Sequence, residues 1–169
     1  MADAEEAWEA AQDGAELVAE GEHEQARTVL EALIAREPDN EYAYFFLGAA
    51  QFELGQYDKA LAAYVKAISL APGYTGAMVN AAQTLRMLGR YDQAMRMANE
   101  VLKRDKNDID ALFVLGASHF ATGETAAAER YLTRLLEQRP GPELATEVHG
   151  MLQILHGEIV PAEPDQEPD

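Results

Sequence analysis

The side chains that most often carry chemistry are few and scattered in this sequence. The histidines are His23, His119, His149 and His156, and the serines are Ser69 and Ser118. His149 and His156 are two helical turns apart, whereas a helical metal site takes its ligands from adjacent turns. Ser118 and His119 are neighbours in sequence and therefore lie on different sides of a helix. Cysteine is absent, and no GxxxxGK or GxGxxG segment follows a strand pattern. We therefore expect neither an enzyme nor a protein with a metal or another cofactor.

Charge and hydropathy narrow the class of partner. The 169 residues include 13 basic and 30 acidic side chains, a net charge of −17, so the field of the molecule repels nucleic acid. No apolar run approaches the roughly 20 residues that a membrane-spanning helix needs. Residues 1–6 are acidic, unlike the basic start of a secretory signal. We expect a cytoplasmic protein that neither inserts into membranes nor binds nucleic acid.

A repeat of 34 residues organises the chain. One set of residues at this interval is glycine throughout, and a second set is small throughout; they are Gly21, Gly55, Gly89, Gly123 and Gly157, and Gly14, Gly48, Ala82, Gly116 and Gly150. A third set holds Ala26, Ala60, Ala94 and Ala128. Prolines recur at positions 38, 72 and 140, with Lys106 as the exception, and each follows a stretch of helical apolar spacing. The recurring small residues predict closely packed helices, in which Ala60→Leu would overpack the crossing.

Apolar spacing between these marks is helical, and no stretch alternates as a strand does. It predicts helices over residues 7–20, 24–36, 41–54, 58–71, 75–88, 92–104, 109–122 and 126–138. Two helices therefore form each repeating unit, and the Gly55 set lies at the turn between them, where a positive φ closes a helix without steric cost.

The residues that repeat resemble a known family. The second unit contains Tyr44, Leu47, Gly48, Gly55, Tyr57, Ala60, Tyr64, Ala67 and Pro72, a pattern similar to the tetratricopeptide repeat (TPR). The resemblance implies an all-α, right-handed superhelical solenoid of four repeats over residues 7–142, namely 7–40, 41–74, 75–108 and 109–142. An extension, residues 1–6, precedes them. Residues 143–157 are predicted to form a capping helix that covers the fourth repeat, and the acidic, proline-rich residues 158–169 are predicted to be disordered.

The resemblance also implies a concave groove built mainly from the first helix of each repeat. On this face we predict that a partner contacts Trp8, Tyr42, Phe45, Ala49, Phe52, Val79, Asn80, Gln83, Arg86, Phe113, Ala117 and Phe120. Because the face is apolar and aromatic, we expect a protein partner that places an apolar peptide or helix there. An alternative is that Phe46, Val114 and Phe120 pack between neighbouring repeats instead. A second copy of the protein could also cover the face, as a homo-oligomer.

A better-known type of TPR protein binds the acidic tails of heat-shock chaperones through Lys, Asn and Arg. The corresponding positions here are Phe45, Ala49, Asn80, Asp110 and Val114. Only Asn80 is retained, and Asp110 would repel a carboxylate, so we do not expect this function.

Two other functions remain open beside an adaptor or scaffold that binds peptides. Residues 45–50 and 54–57 are similar to the second repeat of the cytosolic TPR chaperones that hold hydrophobic translocators of type III secretion. Residues 1–40 carry a net charge of −10 and residues 75–108 a net charge of +2. Acidic ends of one copy could therefore meet the third repeat of another in a self-assembling scaffold, and such assembly would weaken with salt, unlike apolar binding in the groove.

Overall fold

The computed structural model of the chain describes residues 4–158, which form nine α-helices and no strand. The helices are α1 (Ala4–Ala19), α2 (His23–Arg36), α3 (Glu41–Glu53), α4 (Tyr57–Leu70), α5 (Thr75–Met87), α6 (Tyr91–Arg104), α7 (Ile109–Ala121), α8 (Thr125–Glu137) and α9 (Pro142–Leu155). The prediction of an all-α solenoid is confirmed.

The ends of α2 to α8 lie within one residue of those predicted, α1 starts three residues earlier than predicted, and α9 ends at Leu155, two residues before the predicted end. Residues 4–6, which the sequence assigned to an extension, belong to this helix. Glu5 and Glu6 lie in its first turn, where carboxylates interact favourably with the helix dipole. Of the predicted disordered tail, residues 159–169 lie outside the described residues.

The helices pack in two rows. Consecutive helices contact each other, and in addition α1 contacts α3, α3 contacts α5 and α5 contacts α7. The even-numbered helices make no comparable contacts among themselves within the described residues. Helices α1, α3, α5 and α7 are therefore the closely spaced, inner row of the solenoid, and the even-numbered helices α2 to α8 form the outer row.

Glycine allows the two helices of a unit to approach closely. A Cβ atom added at Gly14 would lie 2.4 Å from Leu30 Cδ2, and one added at Gly116 would lie 2.5 Å from Leu132 Cδ2. A Cβ atom at Gly48 would lie 2.7 Å from Tyr64 Cε1. In each pair the second residue comes from the facing helix of the same unit and is at most 2% exposed. These glycines thus fix the separation of the inner and outer rows.

The loop that contains Lys106 keeps the turn hydrogen bond of the loop that contains Pro38. The Asn40 amide donates to the Glu37 carbonyl at 3.2 Å, and the Asp108 amide donates to the Asp105 carbonyl at 3.2 Å. The second loop has Lys106 where the first has Pro38. Asn40 and Asp108 then cap α3 and α7, and their side-chain oxygens accept from the amides of Ala43 and Ala111, the third residue of each helix. Proline is therefore not required for this turn, because the cap and the hydrogen bond also close it.

The capping helix α9 packs as predicted. Val148 is fully buried in a core cluster with Leu112, Leu132 and Leu135, and the other predicted apolar residues of α9 that pack against this cluster are Leu144, Met151, Leu152 and Leu155. The helix covers the apolar side that the fourth unit would otherwise expose.

Candidate functional site

An unusually aromatic surface lies at the N-terminal half of the inner row. We define the aromatic cluster as Trp8, Tyr42, Phe45, Phe46, Tyr64 and Tyr74. The ring centroids of Trp8 and Tyr42 are 5.5 Å apart, those of Tyr42 and Tyr74 are 5.7 Å apart, and those of Phe45 and Tyr74 are 4.8 Å apart. The rings meet edge-on or tilted, the geometries that aromatic pairs prefer. Three helices and one loop thus contribute rings to one continuous aromatic cluster.

Exposure differs along the aromatic cluster. Trp8 is 43% exposed, while Tyr42, Phe45, Phe46 and Tyr74 are half-buried. Tyr64 is 2% exposed and forms the base. The half-buried rings are held in place by their neighbours, so a ligand would find a rigid apolar surface rather than mobile side chains.

Tyr74 is a member of the cluster that the sequence analysis missed. It stands at the N-cap of α5, where Asn40 and Asp108 stand in the other loops, and makes no side-chain capping hydrogen bond. Burial raises its pKa, with smaller contributions from Tyr42 and Glu41. The signal that could have identified Tyr74 is an aromatic residue at a position where the equivalent loops have the capping side chains of Asn40 and Asp108.

A cavity of about 260 Å³ opens beside the aromatic cluster. Its walls come from the end of α1, the start of α2, and from α3, α4 and α5; they are Val18, His23, Ala49, Phe52, Glu53, Tyr64, Asn80 and Gln83. Four of these were predicted to be groove residues, namely Ala49, Phe52, Asn80 and Gln83. We call this space the inner cavity. His23 and Glu53 were not predicted, because each lies at a helix end, next to the turn inside its unit.

Hydrogen bonds fix the polar wall of the inner cavity. Asn80 Nδ2 donates to the Tyr64 hydroxyl at 3.5 Å, and Arg86 Nε donates to Gln83 Oε1 at 3.1 Å. Burial raises the pKa of Tyr64, and the nearby Glu53 carboxylate raises it further. The phenol therefore stays neutral, and it serves as a packing group that also positions Asn80.

The third and fourth units present a second, separate feature. The Arg86 guanidinium carbon lies 5.4 Å from the centroid of the Phe113 ring, within the range of a cation–π contact. Burial lowers the pKa of Arg86, and the Glu147 carboxylate on α9 partly offsets this. Burial also raises the pKa of Asp110, with a contribution from Asp108. This end of the inner face is therefore charged as well as aromatic.

The structure does not expose all of the predicted groove. Val79 is 8% exposed and packs in a core cluster with Ala111 and Val114 of α7, and Ala117 is 2% exposed. These two predictions need correction: α5 and α7 have neighbours on both sides, which cover their shorter side chains. Val114 is buried at 1%, whereas Phe46 and Phe120 remain half-buried. Neither Phe113 nor Phe120 makes a ring contact with the aromatic cluster within residues 4–158.

The inner face has the groups for recognition by shape, hydrogen bonding and charge. Across the described residues there is no set of three or more His, Cys, Asp or Glu side chains placed to hold a metal ion. No helix among them has the length and hydropathy to cross a bilayer. What the surface offers is a rigid aromatic patch, an adjacent cavity and amide side chains.

Two rows of paired helices with a 34-residue repeat define a tetratricopeptide-repeat protein. This fold is typically a protein-interaction module without catalytic machinery. More particularly, residues 5–142 match the family described as the Cytochrome c-type biogenesis protein H TPR domain, and the chain belongs to that family.

Relatives and solved structures agree with this class. Superkiller complex protein 3 of Mus musculus is 30% identical over 109 residues, which is 64% of this chain and 7% of that protein. The chain thus spans only a small part of such relatives. MamA from Desulfovibrio magneticus RS-1 superposes with a TM-score of 0.76 at 18% identity, covering 94% of this chain and 88% of the other. YrrB, described as a TPR protein with an unusual peptide-binding site, gives a TM-score of 0.69 at 17% identity, covering 86% and 73%. At these identities the likeness concerns the fold alone.

Proposed function

We propose that this chain is an adaptor that binds an apolar peptide or helix of a protein partner on the aromatic cluster and in the inner cavity. The observation that carries the proposal is that the aromatic cluster continues into the inner cavity. The ring centroids of Phe45 and Tyr64 are 6.0 Å apart, and Tyr64 belongs to both the cluster and the cavity wall. A peptide that crosses both would bury large apolar side chains beside amide groups that can bond its backbone.

The N-terminal half of the inner face is the stronger part of the predicted groove. It combines an exposed tryptophan with half-buried rings, the arrangement from which binding hot spots are made. Phe113, Phe120 and Arg86 would extend the contact if the bound segment is long. Asn80 and Gln83 are better placed to orient the segment than to supply most of its binding energy.

The family description suggests where a partner should be sought. It names cytochrome c-type biogenesis, so a polypeptide handled in that process is the first candidate to test. A translocator of type III secretion and a second copy of this chain are the other candidates.

Peptide selection tests the proposal without a known partner. Random 16-residue peptides are selected on the immobilised chain, and the dissociation constants of the best binders are measured by fluorescence anisotropy. Each aromatic side chain that a ligand covers contributes about 1.5–3 kcal/mol, so Trp8→Ala and Phe52→Ala should each weaken binding by about 10- to 100-fold.

The matched control is Val29→Ala on the outer helix α2. Val29 is 39% exposed, close to Trp8 at 43%, but lies on the opposite row. Its variant should bind the peptides within about twofold of the wild type. The proposal fails if no peptide is selected, or if the two groove variants, folded by circular dichroism, bind as well as the control.

Capture from the lysate of the native host then identifies the partner class. Proteins retained by the wild type and lost from Trp8→Ala are the candidates. A secretion translocator among them would favour the chaperone function, and assembly of the chain with itself that weakens with salt would favour the scaffold.

A further inference from the structure

The inner cavity has an apolar base and a polar, acidic rim. Val18, Ala49 and Phe52 supply the apolar part, and Glu53 is the one carboxylate among its lining residues. No lysine or arginine lines it in the part of the chain that the structure describes. Glu53 also has no lysine, arginine or histidine nitrogen within 4.0 Å there. A carboxylate that no cation of the chain neutralises therefore stands at the mouth of an apolar space.

The inner cavity offers donors and acceptors of hydrogen bonds, and one of the acceptors is a carboxylate. Asn80 uses an amide hydrogen on Tyr64, which leaves its carbonyl oxygen as an acceptor, and Glu53 adds a carboxylate. The Nδ1 atom of His23 is buried without a hydrogen-bond partner among the described residues. Gln83 retains its amide group as a donor, because its carbonyl oxygen already accepts from Arg86. An occupant that donates hydrogen bonds and carries positive charge would satisfy the Asn80 side-chain oxygen and the Glu53 carboxylate.

The wider field favours the same occupant. Helices α1 and α2, which form one wall, belong to residues 1–40, with a net charge of −10. Arg86 belongs to α5, which forms the opposite wall, and its guanidinium group is directed to Gln83 and over the Phe113 ring. A cation would therefore enter beside His23 and Glu53 rather than from the Arg86 side.

We propose that the inner cavity receives a lysine side chain of the partner, placed next to the large apolar residues that cover the aromatic cluster. The four-carbon stem of the lysine would pack on Phe52 and Val18. Its ammonium group would reach the Glu53 carboxylate and the side-chain oxygen of Asn80. The preferred partner is thus a basic amphipathic segment. This inference rests on the proposed function, which it makes more specific.

A double-mutant cycle on the selected peptides tests this assignment. In the tightest peptide that loses affinity to the Trp8→Ala variant, each lysine is replaced in turn by norleucine, which keeps the stem and removes the charge. One such replacement should weaken binding to the wild type by about tenfold, and Glu53→Gln should abolish the difference between the two peptides. Glu31→Gln, the same change of charge on an exposed residue of α2 outside the inner cavity, should leave the difference intact.

The outcomes separate the two proposals. Peptides that depend on Trp8 but contain no lysine, or whose lysine preference survives Glu53→Gln, would overturn the lysine assignment and leave the peptide-binding function standing. Failure to select any peptide that depends on Trp8 would overturn both. Loss of the lysine preference in Glu53→Gln alone, with circular dichroism unchanged, is the supporting result.

Discussion

One amino-acid change, glycine to alanine, should have opposite effects on stability at two positions of the inner row. At Gly48 in α3, the new Cβ atom would lie 2.7, 2.8 and 3.0 Å from three carbons of the Tyr64 ring. At Gly76 in α5, the nearest atoms are a Tyr74 ring carbon at 3.4 Å and a Phe45 ring carbon at 3.7 Å. The first distances require atoms to move, whereas the second are ordinary contacts.

The magnitudes follow from what holds the Tyr64 ring. Tyr64 is 2% exposed, packs with Phe45, and its hydroxyl accepts from Asn80, so it cannot retreat without disturbing the inner cavity. We take an overpacking cost of about 2–3 kcal/mol and a helix-propensity gain of about 1 kcal/mol, which leaves Gly48→Ala destabilised by about 1–2 kcal/mol. Gly76→Ala has only the helix-propensity gain, which is smaller in the first turn of a helix. The variant should be stabilised by about 0.5 kcal/mol.

Urea unfolding followed by circular dichroism at the helical band measures both variants against the wild type. The midpoints should fall on opposite sides of the wild-type midpoint, with unchanged slopes. A Gly48→Ala midpoint at or above that of the wild type would refute the reasoning, because it would mean that Tyr64 moves at no cost. Equal shifts in both variants would show that helix propensity alone governs the inner row.

Three further predictions use the same urea assay. Ala60→Leu, at a fully buried crossing of α4, should be destabilised by about 1–3 kcal/mol through overpacking, and an unchanged midpoint would show that the units are loosely packed. Asn40→Ala should lower the free energy of unfolding by about 1 kcal/mol more than Asp108→Ala does. Both variants lose an N-cap, but Asn40 also donates to the Ala7 carbonyl at 2.9 Å. Equal losses would contradict a role of Asn40 in joining the first two units. Gly89→Ala should lower the free energy of unfolding by about 1–2 kcal/mol, because Gly89 has φ of 70°, which strains a residue with a side chain. The new Cβ atom would meet nothing within 4 Å, so an unchanged midpoint would mean that the turn relaxes.

The fold could be predicted from the sequence because the same residue types recur at the same positions of every unit. The positions of Gly48 and Ala60 hold small residues in each unit, and the position of Gly55 holds the glycine of the turn. A helix boundary that is ambiguous in one unit can therefore be assigned from the other three. The position of Lys106 departs from the pattern without changing the loop, since the backbone hydrogen bond and the cap of Asp108 are retained.

The candidate site could be predicted only in part. Helical spacing places a residue on the inner side, but it does not give the depth to which neighbouring helices cover it, and Val79 is covered by α7 for this reason. The inner cavity needs side chains from five helices, including His23 and Glu53 at helix ends. Such a combination depends on how successive units are rotated, which the residue types of one unit do not determine.

The packing of each helix only against helices one or two places away also determines how the molecule folds. No substantial contact in residues 4–158 closes a long loop of chain, so the entropy lost before the first favourable contacts form is small. Folding can begin in any unit and spread to its neighbours, and opening begins at the ends, which are covered on one side only. Trp8 belongs to such an end, in α1, whereas Tyr64 and Tyr74 lie in the interior of the row. Of the aromatic cluster, Trp8 should therefore separate from the rest first when the N-terminal end opens, and hydrogen exchange should be faster in α1 than in α4.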